Sequence, residues 1–235
     1  SSVTLAANGE YFASSGSDGV RVWRVEDCKL MATMAAEQVG CVAFSKNCKW
    51  IAAGTYWPGD VIVWDAKVYK QPFTTWTTVG VIRGVDFSPD STRLLALGDR
   101  TVTVWDITTR ERVIGPLSHD DRVWAAKYSP QGDRIATATQ KSLQVYDSND
   151  GRLLQIDAST GSQVSEWPVP DISALPCITV PQDGGFIACT ANQTVTFWDT
   201  STHTQIGLFR HQYPPQDVHS IALSPDGRFL ILGIG

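Results

Sequence analysis

What this sequence lacks narrows the field before any motif is read. No apolar run reaches the roughly 18 residues that a membrane-spanning helix needs, so no such helix and no membrane partner is expected. The first residues show no basic segment followed by an apolar one, so no secretory leader is visible and a cytoplasmic location is the expectation. Lys and Arg form no run and the net charge is −5, which gives a nucleic-acid backbone no basic stripe to meet. The five cysteines (Cys28, Cys41, Cys48, Cys177, Cys189) are an odd number at scattered positions. That pattern reads as buried free thiols in a reducing compartment rather than as disulfides or a metal centre. The four histidines (His119, His203, His211, His219) stand at no metal-ligand spacing with a cysteine or with one another. No Gly-rich loop opens a helix, and no Gly-Lys-Ser/Thr occurs, so neither a nucleotide nor another cofactor is expected.

Catalytic constellations are equally scarce. A serine nucleophile needs a histidine and an acid that converge on it, but the serines here fall in turns. Glycoside cleavage needs two carboxylates on one pocket, but most aspartates recur in phase. A residue that recurs in every repeat serves architecture. Glu37 and Glu166 are the acids out of phase. The expectation is a chain that is not an enzyme.

What is present is a rhythm. Trp23, Trp64 and Trp105 lie 41 residues apart, Tyr146 follows after another 41, and Trp198 after 52. Three of these read Val63-Trp64-Asp65, Val104-Trp105-Asp106 and Val145-Tyr146-Asp147, and the last reads Phe197-Trp198-Asp199. Around each are four short β-type runs separated by turn chemistry. In the clearest unit, Val81 to Phe87, Arg93 to Leu97, Thr101 to Asp106 and Glu111 to Leu117 are expected strands. Ser88-Pro89-Asp90-Ser91 is the first turn; proline presets φ, and Ser and Asp side chains bond nearby backbone. Ser129-Pro130-Gln131-Gly132 and Ser224-Pro225-Asp226-Gly227 repeat it. The second strands carry small residues (Ala13, Ala52-Ala53, Ala136, Ala188), as a crowded inner position requires. The periodic tryptophans would fill wedges between neighbouring sheets.

These motifs closely resemble the WD-repeat β-propeller family over nearly the whole chain, with wording similar to fungal members. The resemblance implies an all-β fold: a β-propeller of four-stranded antiparallel blades in a single domain, 1–235. The blades would cover about 1–36, 37–78, 79–118 and 119–154, then a remnant at 155–168, a blade at 169–210 and a partial one at 211–235. Seven blades is the expected count, with six as the alternative. Ile156 precedes Trp198 by 42 residues but follows Tyr146 by only 10. Roughly 31 residues are therefore absent between Leu154 and Gln155, relative to a period of 40–45. Either a blade has been reduced, or a stretch of the natural chain is missing there; open edges in a reduced blade favour the second. The family's Gly-His and its internal His, Ser/Thr, Trp, Asp network are incomplete. His119 and His211 read as members of such a network, and His203 as solvated.

Members of the family bind peptides and proteins on the face whose loops lead into the first strands. The resemblance places contact positions six and four residues before the apolar end of each first strand, and just before the turn aspartate. On this chain those positions are Gln38 and Gly40, Val81 and Arg83, Arg122 and Trp124, Ala174 and Pro176, Asp217 and His219, with Ser17 before Asp18. Trp and Arg are enriched at energetic centres of interfaces. Trp124 is out of phase with the blade tryptophans, and Arg83 and Arg122 stand at matching positions, a pair suited to an acidic or phosphorylated peptide. The alternative for each Arg is a solvated or internally paired side chain. Tyr56 and Trp57 precede Pro58-Gly59-Asp60 in an enlarged turn that would project aromatics. Trp50 and Trp76 read as packing residues. The leading expectation is a non-catalytic scaffold that binds a protein or peptide through Arg83, Arg122, Trp124, His219, Gln38, Ser17, Tyr56 and Trp57. Alternatives are the ligand-sensing C-terminal module of a larger signalling protein, and a lectin-like propeller that takes a glycan on Tyr56 and Trp57.

Overall fold

A computed structural model describes residues 2–69, 72–78, 80–140, 142–153, 167–168, 177–181, 183–191, 193–202, 204–210, 218–224 and 229–234. They form β-strands joined by turns, with no helix among the described residues. The chain divides into two compact units, 1–118 and 119–235.

The first unit holds three antiparallel four-stranded meanders. The first is β1 (Val3–Leu5), β2 (Tyr11–Gly16), β3 (Gly19–Arg24) and β4 (Leu30–Met34). The second is β5 (Val39–Phe44), β6 (Trp50–Thr55), β7 (Asp60–Asp65) and β8 (Pro72–Thr77). The third is β9 (Gly84–Phe87), β10 (Arg93–Leu97), β11 (Thr101–Asp106) and β12 (Arg112–Ser118). In the second unit, β13 (Val123–Tyr128), β14 (Arg134–Thr139), β15 (Ser142–Asp147) and β16 (Trp167–Pro168) form one sheet. Another contains β17 (Ile178–Thr179), β18 (Phe186–Ala191), β19 (Thr194–Asp199) and β20 (Gln205–Arg210). A last pair is β21 (Val218–Leu223) and β22 (Leu230–Ile234).

The recurring turn residues have a direct cause. The serine that follows four of the first strands accepts, through Oγ, the N–H of the residue five later. The bonds are Trp50 N to Ser45 Oγ (2.9 Å), Arg93 N to Ser88 Oγ (2.9 Å), Arg134 N to Ser129 Oγ (3.1 Å) and Phe229 N to Ser224 Oγ (2.9 Å). The aspartate after four of the blade aromatics accepts main-chain N–H groups of the next turn, whereas Arg24 follows Trp23. Lys67 N reaches Asp65 Oδ1 and Thr108 N reaches Asp106 Oδ1, each at 2.8 Å. Asn149 N reaches Asp147 Oδ1 and Ser201 N reaches Asp199 Oδ1, also at 2.8 Å. The Trp-Asp pair therefore joins a wedge-filling ring to a side chain that closes a turn.

The wedges are filled as the rhythm predicts. Trp64, 1% exposed, packs with Ala13, Val20 and Val22 of the preceding sheet. Trp105 packs with Ala52, Val61 and Val63, and stacks on Trp76 at 5.4 Å. In the second unit, Trp198 packs with Ala136, Leu143 and Val145. Trp50 is buried and its ring centroid lies 4.6 Å from that of Phe73, a packing role. His119 is buried inside its blade, with Nε2 2.9 Å from Thr137 Oγ1 and 3.2 Å from Tyr146 Oη. His203, His211 and Glu166 lie outside the described residues.

The structure differs from the expected layout at three places. The strand expected from Val81 begins at Gly84, because the residue before Arg83 is tied to another sheet: Ile82 N donates to Thr55 O at 3.0 Å. Trp167–Pro168, expected at the end of a separate remnant, pairs with β15 as the outermost strand of the fourth sheet (Leu143↔Trp167, Ser142↔Pro168). Leu153 bridges Tyr146 at the other end of β15, and 154–166 lie outside the described residues. Finally, the thiols are free, and Cys41 and Cys189 are buried, but Cys28 is exposed at the end of a turn, with a left-handed φ of 52°. Burial pushes the Cys189 thiol up to about 12, with Cys177 adding to the effect, and burial also raises Cys177. Neither is a thiolate at neutral pH.

Candidate binding surface

Three first strands carry the same irregularity. In β5, Val39 pairs with Thr55 and Cys41 with Gly54, so Gly40 is an extra residue. In β13, Val123 pairs with Thr139 and Ala125 with Ala138, which makes Trp124 the extra residue. In β21, Val218 pairs with Ile234 and Ser220 with Gly233, which leaves His219. A β-bulge of this kind breaks the pleat and re-aims one side chain. Gly40, Trp124 and His219 are the positions that the family resemblance marks four residues before the strand end. Their shared physical basis is the bulge, which frees that residue from the inward and outward alternation of its blade.

Blade two fills its bulge slot from elsewhere in the chain. A Cβ on Gly40 would lie 2.7 Å from Tyr56 Cζ, so the phenol ring rests where a side chain at 40 would stand. The surrounding loops are stitched through main-chain bonds. Gln38 N donates to Ser17 O (3.0 Å), and Tyr56 N donates to Gln38 O (2.9 Å). Gln38 holds a left-handed φ of 52° between those two bonds. Such a conformation in a non-glycine residue costs of order 1 kcal/mol or more and persists where its surroundings determine it. On the far side, Gly59 N and Asp60 N donate to Thr55 Oγ1 (3.3 and 2.8 Å), and Thr78 N donates to Gly59 O (3.0 Å). The turn between β6 and β7 is thus pinned at both ends. At its tip Trp57 is 70% exposed and Tyr56 42% exposed. Ser17 and Gln38 are exposed as well. Four of the expected contact residues, Ser17, Gln38, Tyr56 and Trp57, therefore belong to one connected line of loops in the first unit.

The other expected residues are differently disposed. Arg83, in the loop before β9, places its guanidinium 3.3 Å from Asp99 Oδ1, which is the internally paired alternative. In the second unit, the Arg122 guanidinium lies 5.1 Å from the centroid of the Trp124 ring, and both side chains are half-buried. His219 occupies its bulge in β21, and its side chain lies outside the described residues.

Charge distinguishes the blade-two surface. The segments 15–18, 36–40, 55–60 and 78–82 contain Asp18, Glu37 and Asp60, and neither Lys nor Arg. Arg21 neutralises Asp18. Thr77 Oγ1 donates to Asp60 Oδ1 at 2.7 Å, a neutral contact. Glu37 is exposed and Asp60 is half-buried, and among the described residues neither has an ion pair. Sequence reasoning noticed Glu37 as an acid out of phase, but not its place beside Gln38 on this line. It also missed Gly40 as a seat for Tyr56. Among the described residues, no cluster of His, Cys, Asp and Glu could hold a metal ion. No helix among them is long and apolar enough to cross a membrane.

Comparison with known proteins agrees with this architecture. The chain is 27% identical over 197 residues to eukaryotic translation initiation factor 3 subunit I of Candida albicans, covering 75% of this chain and 55% of that protein. It is 29% identical over 125 residues to the small ribosomal subunit protein RACK1 of Neurospora crassa, covering 52% and 39%. Against the serine-threonine kinase receptor-associated protein of Dictyostelium discoideum it is 26% identical over 179 residues, covering 62% and 59%. The chain thus spans about half the length of the curated relatives it matches. Among solved structures, Kuenenia stuttgartiensis hydrazine synthase shares the fold with a TM-score of 0.84 at 16% identity, over 99% of this chain and 73% of the other. The WD40 family model, described as the WD domain or G-beta repeat, matches residues 28–65, 70–106 and 112–147, three successive units each ending at a blade aromatic and its aspartate. With those repeats, the bulged first strands and the wedge-filling tryptophans together, the chain belongs to the WD-repeat family of β-propeller proteins.

Proposed function

We propose that this chain is a non-catalytic interaction module that holds a protein or peptide segment on the loops entering its first strands. In the first unit the contact is made by Ser17, Gln38, Tyr56 and Trp57. In the second unit, Arg122 and Trp124 form a separate contact, with His219 a further candidate. One observation carries the reading: Trp57 is 70% exposed on a turn fixed from both sides. A large aromatic held rigidly in water is the kind of group that anchors an interface, because little freedom is lost when it is covered. The relatives' names support the reading at a coarse level, since they describe a factor subunit, a ribosomal subunit protein and a receptor-associated protein. The single-domain reading of 1–235 and the seven-blade count belong to the same proposal, and an intact mass of the natural polypeptide tests them.

The test is quantitative capture with three full-length baits: the native chain, Trp57→Ala, and Ile206→Ala, which changes an exposed residue on the outer strand β20. Partners should be lost with Trp57→Ala and kept with Ile206→Ala. Identical partner sets for all three would remove this turn from the proposal. The exposed Tyr56-Trp57 pair also suits stacking on a sugar ring. A Trp57-dependent signal on a glycan array would favour that second reading, and a blank array would end it.

A further inference from the structure

We infer that the segment bound at the β6–β7 turn presents an arginine or lysine beside an apolar residue, the cation lying over the Trp57 indole. This rests on the reading of that turn as a protein-binding surface and specifies its partner. Two observations point the same way. The first is charge. The four loop segments around the turn carry three carboxylates and no Lys or Arg, and internal pairing removes only Asp18. Glu37 stands next to Gln38, whose carbonyl takes the Tyr56 N–H, and Asp60 closes the aromatic turn. An anionic segment would meet uncompensated repulsion there, and a cationic one would meet complementary charge.

The second observation is a pattern among the aromatic faces of this molecule. Arg122 lies over Trp124 at 5.1 Å, Lys49 over Trp50 at 4.7 Å and Arg110 over Phe73 at 4.6 Å. Each pairing places a cation on the negative face of the ring. Trp124 sits in the bulge slot of blade four, and its cation comes from two residues earlier in the chain. Blade two has the matching slot at Gly40, the Tyr56 ring over it, Trp57 next in the chain, and carboxylates on the flanking loops. The residue corresponding to Arg122 is Gln38, which is uncharged. The position that supplies the cation in blade four therefore holds none in blade two, and the partner supplies it.

Selection of a random dodecapeptide phage library on the immobilised full chain, counter-selected against Trp57→Ala, reads this directly. The expected result is a set of Trp57-dependent peptides enriched in Arg or Lys next to an apolar residue. The best of these, made as a labelled synthetic peptide, should bind about tenfold more weakly after its cation is changed to Gln. It should weaken by about twofold to threefold against Glu37→Gln, with a flatter dependence on salt. Gly40→Ala, which displaces the Tyr56 ring while keeping every aromatic, should also weaken it. Trp57-dependent peptides enriched in Asp, Glu or uncharged residues would overturn the cation inference and leave the protein-binding reading standing. If no Trp57-dependent peptide is recovered, both fail at this turn.

Discussion

Two aromatic sites at matching places in two blades differ in what covers them. In blade four the bulge in β13 carries Trp124 itself, and Arg122 already lies across its ring. In blade two the bulge carries Gly40, Tyr56 rests against it from a neighbouring turn, and Trp57 stands in water. The scaffold is the same in both: a first strand with one extra residue, backed by a small-residue second strand and a buried wedge aromatic. Blade architecture therefore fixes where a free side chain can stand, and a few local residues decide whether that side chain is satisfied within the molecule or left for a partner.

The largest expected effect comes from removing what lies beneath the blade-two site. Trp64→Ala should cost about 3–5 kcal/mol in urea unfolding, because a fully buried ring leaves a cavity that its Ala and Val neighbours cannot fill. Beneath the blade-four site, His119→Ala should cost about 1–3 kcal/mol, since buried hydroxyls of Thr137 and Tyr146 lose a partner. The same truncation at the two off-beat indoles should then separate them. Trp124→Ala should lower stability measurably, because a half-buried ring and its contact with Arg122 are lost. Trp57→Ala should change stability by no more than about 0.5 kcal/mol while abolishing capture at that turn. Arg83→Ala should cost no more than about 1 kcal/mol, as expected for a partly exposed ion pair. The smallest effect is local. Bonds from the Ser201 hydroxyl and from the main-chain N–H groups of Thr202 and Ser201 hold the Asp199 carboxyl down to about 2. A carboxyl whose folded value lies below the ordinary value of about 3.9 stabilises the fold above that value. The contribution is lost as pH falls through about 2. An NMR titration should therefore show the Asp199 carboxyl changing near pH 2, and the 199–202 turn loosening in the same range.

Much of this was legible in the chain. The 41-residue spacing located Trp64 and Trp105, and the wedges they fill, because burial between sheets demands a large ring at the same point of each repeat. The serine and aspartate turns were legible because their bonds span only two to five residues. The bulge was not readable from one strand, since an extra residue is defined only against its partner strand. Only the positions it frees, Gly40, Trp124 and His219, reached the sequence reading, through family resemblance. The ring of Tyr56 over Gly40 was hidden for a related reason: it joins a turn to a bulge 16 residues earlier, and no local pattern marks the pair. Arg83 and Arg122 looked alike in register, yet their partners, Asp99 and the Trp124 ring, were set by loop geometry. Trp167–Pro168 was assigned by phase to a separate remnant, and its pairing with β15 is a long-range contact that phase does not mark.

Hydroxyl-radical footprinting read residue by residue by mass spectrometry tests most directly the claim that one off-beat indole is open while its counterpart is covered. In the native full chain, Trp57 should oxidise fastest of the three tryptophans Trp57, Trp124 and Trp64, Trp124 several-fold more slowly, and Trp64 hardly at all. Equal rates at Trp57 and Trp124, or oxidation of Trp64 as fast as either, would contradict the account.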